Sequence, residues 1–520
     1  MMRTDVLVIG TGAAGLLLAL HCAEQGQAVT VATKGTIEES NTAWAQGGVA
    51  ASLDLEEDST ASHSADTLAA GAGLVDEAAA ELIAAEAPRR IEELRERGVT
   101  FNLGVSGDLA LTREAAHSHA RTVFSGDATG RAISTTLAQR VLQHPKVRVL
   151  ERALVVQLIS DQRRCRGAWV LVHGEMLPVY GRATALATGG IGQVYARTTN
   201  PAGATGDGLK LAIDAGAHLA DMEFVQFHPT ALAIAGAPAL LVSEAARGEG
   251  GILVNDAGER FCQLADPRGE LAPRDVVARA IFRELERKPH STVWLDLRPI
   301  GSADHIRKRF PNIAAACAVF GIDIGAMPIP VAPAAHYHMG GVFTDLHGRT
   351  ALASLYAVGE CACTGLHGAN RLAGNSLAEC LVMASRAAED MQGTLAADQD
   401  GQALQSPPAS IPALDDREPL RALMWQAASV ERDGPVLRAL IDRVDDWPCA
   451  TEALSRTALE SRALLNVARY IAEAAFIRQE SRGAHYRIDF PERDDLHWLV
   501  RIVWDARGHR LQPVAAPAVR

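Results

Sequence analysis

Five separated segments of this 520-residue chain combine basic side chains with backbone-exposing glycines or small residues. They are Phe227-His228-Pro229-Thr230, the run from Ser243 and Glu244 through Arg247 to Gly251, Pro273-Arg274-Asp275, Ala335-His336-Tyr337-His338, and His367 through Arg371 to Leu377. A single histidine is usually a satisfied structural residue, and a single arginine a solvated charge. Gathered in one place, these types suit a small anion. Arginine grips a carboxylate through a planar two-pronged fork, and histidine and serine donate to its other oxygens.

Such groups need a scaffold, and residues 6 to 15, VLVIGTGAAG, indicate one. An apolar strand runs into Gly10, Gly12 and Gly15, the spacing that seats a dinucleotide pyrophosphate at a helix N-terminus. NAD seats usually end their second strand with a carboxylate that holds the ribose hydroxyls. Here the strand from Ala28 to Thr33 ends in Lys34, which favours FAD or NADP. The small, uncharged stretch Ser40 to Ala51 (SNTAWAQGGVAA) suits the face of a flat ring and decides for FAD.

Composition sets the outer bounds. With 48% hydrophobic residues the chain can build two or three cores. A net charge of −12 argues against nucleic acid or anionic membranes as partners, so cations for an anionic substrate must be concentrated in a pocket. The eight cysteines contain no C-x-x-C pair and read as reduced cytoplasmic thiols, with no metal site expected. The chain is expected to enter its first strand without a charged leader. Apolar residues 312 to 335 are broken by Asp323, glycines and prolines, and read as buried loop and strand rather than a membrane span.

Leu53 to Ser64 reads as a surface excursion, and two helices are expected at Val75 to Ala85 and Pro88 to Arg97. The expected organisation is a dinucleotide domain at 1–221 and 337–393, an inserted domain at 222–336, a linker at 394–412 and a helical domain at 413–520.

Together the motifs resemble one family: the FAD-dependent succinate dehydrogenase, fumarate reductase and L-aspartate oxidase flavoproteins. The similarity runs from Val6 to about Asp390. It implies an α/β, Rossmann-like FAD-binding domain, an inserted α+β capping domain and a C-terminal helical bundle. It assigns to FAD, besides the three glycines, Thr11, Ala13, Ala14, Lys34, Asn41, Thr42, Ala43, Trp44, Ala45, Gln46, Gly47, Gly48, Asp207, Glu360, Ser376 and Leu377. It assigns His228, Ser243, Glu244, His336 and Arg371 to a dicarboxylate, and Arg274 to the charged catalytic position.

Two positions point to one branch. Asn41 stands where the respiratory members carry the histidine that bonds covalently to flavin, so FAD is expected to be noncovalent. Thr112-Arg113-Glu114-Ala115-Ala116-His117-Ser118 resembles the amine-oxidising branch, where a glutamate faces the substrate amino group. The family usually has two glycines in place of Ala115 and Ala116. Glu114 is the candidate for that contact, the alternative being a pair with Arg113 or Arg121. The resemblance therefore implies an FAD-dependent L-amino-acid oxidoreductase. It would convert L-aspartate to iminoaspartate, with oxygen or fumarate as acceptor, as the first step of de novo NAD biosynthesis, with transient contact to quinolinate synthase. Alternatives are a soluble fumarate reductase and a non-catalytic flavin-binding scaffold.

Overall fold

The computed structural model describes residues 1–161, 164–234, 236–288, 290–395, 406–414 and 416–514. Its central element is a seven-stranded sheet. The strand Met2–Ile9 lies between Val29–Ala32 and the long strand Glu175–Leu186, parallel to both. Leu355–Ala357 also runs parallel to Glu175–Leu186, and the antiparallel strands Cys165–Val172 and Ala153–Ser160 extend the sheet. Val6, Leu7 and Val8 are fully buried, as a strand covered on both faces requires. The helix Ala13–Glu24 packs on Asn375–Leu395 and Thr129–Gln143, so residues 375–395 return the chain to the glycine turn it left.

Four antiparallel strands form a second sheet, in the order Val225–Leu232, Ile329–His338, Val293–Asp296, Ile252–Val254. Its core, including Leu253, Val277, Ile281, Phe310 and Val331, is separate from that of the central sheet. The boundary expected after residue 336 falls inside Ile329–His338, and the one after 393 falls inside Asn375–Leu395. The strands carrying His228 and His336 are therefore neighbours in one sheet.

Helices Glu418–Ala428, Gly434–Asp445 and Arg456–Ile477 pack together beyond this. Part of the expected linker, 396–405, lies outside the described residues. Its end is strand: Ser410–Ala413 pairs with Ala450–Ala453. A terminal hairpin, Val500–Asp505 with Gly508–Pro513, adds to Leu219–Ala220 in a five-stranded sheet. The fully buried Arg478 joins this region to the rest, donating to Glu223 at 2.7 Å and Glu480 at 3.0 Å.

Three local expectations are corrected. The helices expected on either side of Pro88 are one helix, Glu77–Glu96. Proline removes one backbone donor, but Ile83, Ala84, Ala87, Ile91 and Leu94 form a single buried stripe across it, and that burial outweighs the break. The excursion at 53–64 ends in a helix, Thr60–Ala70, because Ser59 accepts from Ser62 N as its cap. Within 312–335 there is also a helix, Pro311–Ala318. Its start is capped from afar: Asp127 accepts from Asn312 N at 2.8 Å and Ile313 N at 3.4 Å.

Candidate active site

A cavity of about 690 Å³ runs from Gly10–Ala14 to Arg371. Its floor requires glycine. Gly10 has φ +111°, and a Cβ there would sit 2.1 Å from the Ala187 carbonyl oxygen. The helix beginning at Ala13 has no acidic residue in its first turn and no side-chain cap from Gly12. Its positive end opens on the cavity, where Thr42 Oγ1 accepts from the Ala13 amide at 3.0 Å and no carboxylate of the first turn opposes an anion. These features fit the FAD expected from the sequence.

Of the residues assigned to FAD, Gly10, Thr11, Gly12, Ala13, Ala14, Lys34, Asn41, Thr42, Trp44, Ala45, Asp207, Glu360, Ser376 and Leu377 line this cavity. The structure does not bring Gly15 or Ala43 to the wall. Gly15 is used for packing, where a Cβ would meet the Gly10 carbonyl at 2.3 Å. Gln46, Gly47 and Gly48 line a separate crevice shared with Glu114 and Ser243. Gln46 also donates to the Leu241 carbonyl at 2.8 Å, tying the flavin loop to the inserted domain.

Asn41 donates through Nδ2 to Glu360 Oε2 at 3.1 Å, and the His338 amide donates to Oε1 at 3.1 Å. Burial pushes the Glu360 carboxyl up to about 7 against these two donors. The Asn41 amide nitrogen is not nucleophilic. Acid precipitation is therefore expected to leave all flavin absorbance in the supernatant; a yellow pellet would contradict this reading.

At the other end, the His228 and His336 rings meet edge to face, 5.1 Å between centroids. Burial holds both well below 6.5, reinforced at His228 by the Arg274 charge and at His336 by that of Arg371. Both rings are neutral near pH 7. His228 Nδ1 accepts from the Thr230 amide at 3.2 Å, which leaves Nε2 as a buried donor without a partner among the described residues. His336 Nδ1 meets Thr199 Oγ1 at 2.8 Å.

Arg371 is buried, stacks 4.7 Å from the Tyr337 ring centroid and donates to Ser376 Oγ at 3.0 Å. Its Nε has no partner among the described residues. Burial, with the charge of Arg274, lowers its pKa to about 10. Arg274 is the first residue of the helix Arg274–Glu286 and donates to Glu244 Oε2 at 2.5 Å and to Gln226 Oε1 at 3.0 Å. Glu244 is likewise the first residue of a short helix, with Ser243 as its cap. Burial raises the Glu244 pKa, but the charges of Arg274 and Arg247 outweigh it and leave the group ionised below its usual range.

Glu114 is buried against this cluster, and a Cβ on Gly47 would stand 3.3 Å from its Oε1. Burial and the Glu244 charge raise its pKa to about 7, opposed by Arg274, Arg371 and the Gly48 amide. Arg113 and Arg121 are engaged elsewhere. Arg113 donates to the His117 carbonyl at 2.9 Å, and the fully buried Arg121 grips Asp58 with two bonds of 2.8 Å. Ala116 holds φ +65°, where a side chain costs about 1–2 kcal/mol relative to the right-handed region.

Sequence reasoning missed three contributors. Gln226 joins Arg274 to the Arg371 segment by donating to the Arg371 carbonyl at 2.9 Å; its spacing of two from His228 on one strand was the available signal. Tyr337 supports Arg371 from beneath and meets His367 Nε2 at 3.1 Å. His117 Nε2 meets the Ala373 carbonyl at 2.9 Å, which fixes the Glu114 loop to the Arg371 segment.

Residues 5–377 match the FAD binding domain family, and residues 417–516 match the fumarate reductase flavoprotein C-terminal family. An L-aspartate oxidase of Nostoc sp. is 44% identical over 96% of this chain and 93% of its own length. One from Synechocystis sp. is 43% identical over 98% of each. Among solved structures, the FrdA chain of E. coli quinol fumarate reductase superposes with a TM-score of 0.88 at 31% identity, covering 99% of this chain and 98% of that one.

Proposed function

The chain belongs to the L-aspartate oxidase family of FAD-dependent oxidoreductases, and we propose that Glu114, His228, Ser243, Glu244, Arg274, His336 and Arg371 form its substrate site. The reaction is oxidation of L-aspartate to iminoaspartate with oxygen or fumarate as acceptor, the first step of de novo NAD biosynthesis. Bound in the large cavity, FAD supplies the acceptor for the hydride leaving C2.

Charge complementarity carries the assignment of the site. L-Aspartate brings two carboxylates and one ammonium; in the cluster Arg274 and Glu244 pair with each other, which leaves Arg371 to meet a carboxylate and Glu114 to meet the ammonium. Arg371 has the geometry to clamp one substrate carboxylate, with the neutral His228 and His336 donating to the other end. Arg274, held by Glu244 and Gln226, fixes positive charge and N–H donors against a substrate carboxylate and, in the fumarate direction, opposite the negative charge that develops as hydride is added. Glu114 takes the ammonium and, with its pKa near 7, can accept the proton that must leave nitrogen before the imine forms.

The same anchors hold fumarate, which has no ammonium; hence its use as acceptor and the second reading, a fumarate reductase. Anaerobic flavin bleaching separates the readings. L-Aspartate is expected to bleach the flavin, with D-aspartate, L-glutamate and succinate far slower. Bleaching by succinate with none by aspartate would make Glu114 structural and move the chain to the other branch.

We also place the protein in the cytoplasm, in transient contact with quinolinate synthase. Six cysteines (22, 165, 262, 317, 361 and 363) are free and buried, and no helix among the described residues is long and apolar enough to cross a membrane. The imine product hydrolyses in water, which favours prompt hand-over.

A further inference from the structure

The cofactor cavity does not end within the dinucleotide domain. Its end remote from Arg371 is walled by the C-terminal region, through apolar Ile411, Leu459 and Ala463 and charged Arg456 and Glu460. The fit is close. A Cβ on Gly206, at the turn before the helix Asp207–Asp214, would lie 2.5 Å from Val467 of the helix Arg456–Ile477.

The charges at this end form one cluster. Lys34, standing where a dinucleotide seat usually has its ribose-binding carboxylate, is tied by its ammonium to Asp207, to Thr205 Oγ1 at 2.8 Å and to Glu460 Oε1 at 2.9 Å. Arg456 donates to the same Glu460 oxygen at 2.9 Å. Glu460 is 6% exposed. The lysine is therefore committed to carboxylates, and the carboxylate missing from the second strand is restored in space from two other elements.

We propose that the helix Arg456–Ile477 is part of the FAD seat, with Glu460 on the ribose side of the adenosine half and Leu459 and Ile411 forming its apolar wall. The C-terminal region then retains cofactor as well as packing against the dinucleotide domain.

The test uses full-length protein and two probes, FAD and ADP, because ADP carries only the adenosine half. Free-flavin fluorescence on dilution of the holoenzyme gives the FAD Kd, and displacement by ADP gives its Ki. In Glu460→Gln both constants are expected to rise by about tenfold, the loss of a charge-assisted contact, and Glu460→Asp should recover part of it. Leu459→Ala should weaken both probes in parallel, and reads the same wall should Glu460→Gln fail to fold. An unchanged FAD Kd in Glu460→Gln, or a loss for FAD with none for ADP, would overturn the proposal.

Discussion

Replacing Arg274 by Leu should lower kcat by about a thousandfold for both L-aspartate oxidation and fumarate reduction, with bound flavin retained. A preorganised charged donor at a centre of developing charge contributes a factor on the order of 10²–10³, and that is the role proposed for Arg274. It is buried, leads its helix and is held by Glu244 and Gln226. Its loss leaves Glu244 with Arg247, 3.5 Å away, as its remaining ion-pair partner. The Glu244 carboxyl should then move upward, since Arg274 is the largest influence opposing its burial. Arg274→Lys keeps a charge but not the planar fork, and should fall between the two. Unimpaired turnover in the Leu variant would remove Arg274 from the chemistry. Lost turnover alongside intact NAD synthesis in cells would favour the scaffold reading instead.

The glycine turn was legible because its requirement is local: no other residue fits against the Ala187 carbonyl at Gly10. The basic motifs were legible as a set because an arginine or histidine is recognisable wherever the chain later brings it. What a side chain does on behalf of another was not. Tyr337 beneath Arg371 and His117 on the Ala373 carbonyl act across 34 and 256 residues, and nothing in their own segments announces a partner. The same holds for backbone form. Pro88 is a helix breaker by local rules and is overruled by a buried stripe, while the start of Pro311–Ala318 is satisfied by Asp127, 185 residues earlier. The terminal hairpin pairs with a two-residue strand, Leu219–Ala220, too short to leave a pattern of its own.

Glu114→Gln should lower kcat/KM for L-aspartate oxidation by about a hundredfold and leave fumarate reduction within about threefold. The two differ because only aspartate carries an ammonium. A buried group built to meet it discriminates strongly against a partner that lacks it, and the amide neither pairs with the ammonium nor takes its proton. The pH profile gives the sharper reading. With its pKa raised to about 7, Glu114 holds its proton in acid and gains charge only as pH rises through that value. kcat/KM for aspartate should climb with unit slope below about pH 7 and then level, and this limb should vanish in the Gln variant. Stability runs the other way. The folded chain binds more protons at this site than the unfolded chain between about 4.5 and 7, so Glu114 contributes a loss of stability as pH rises across that window. The Gln variant should therefore unfold at a higher temperature relative to the parent at pH 8 than at pH 4. Equal loss of aspartate and fumarate turnover would show that Glu114 holds the loop together, as Arg121 and His117 do, and does not read the amino group.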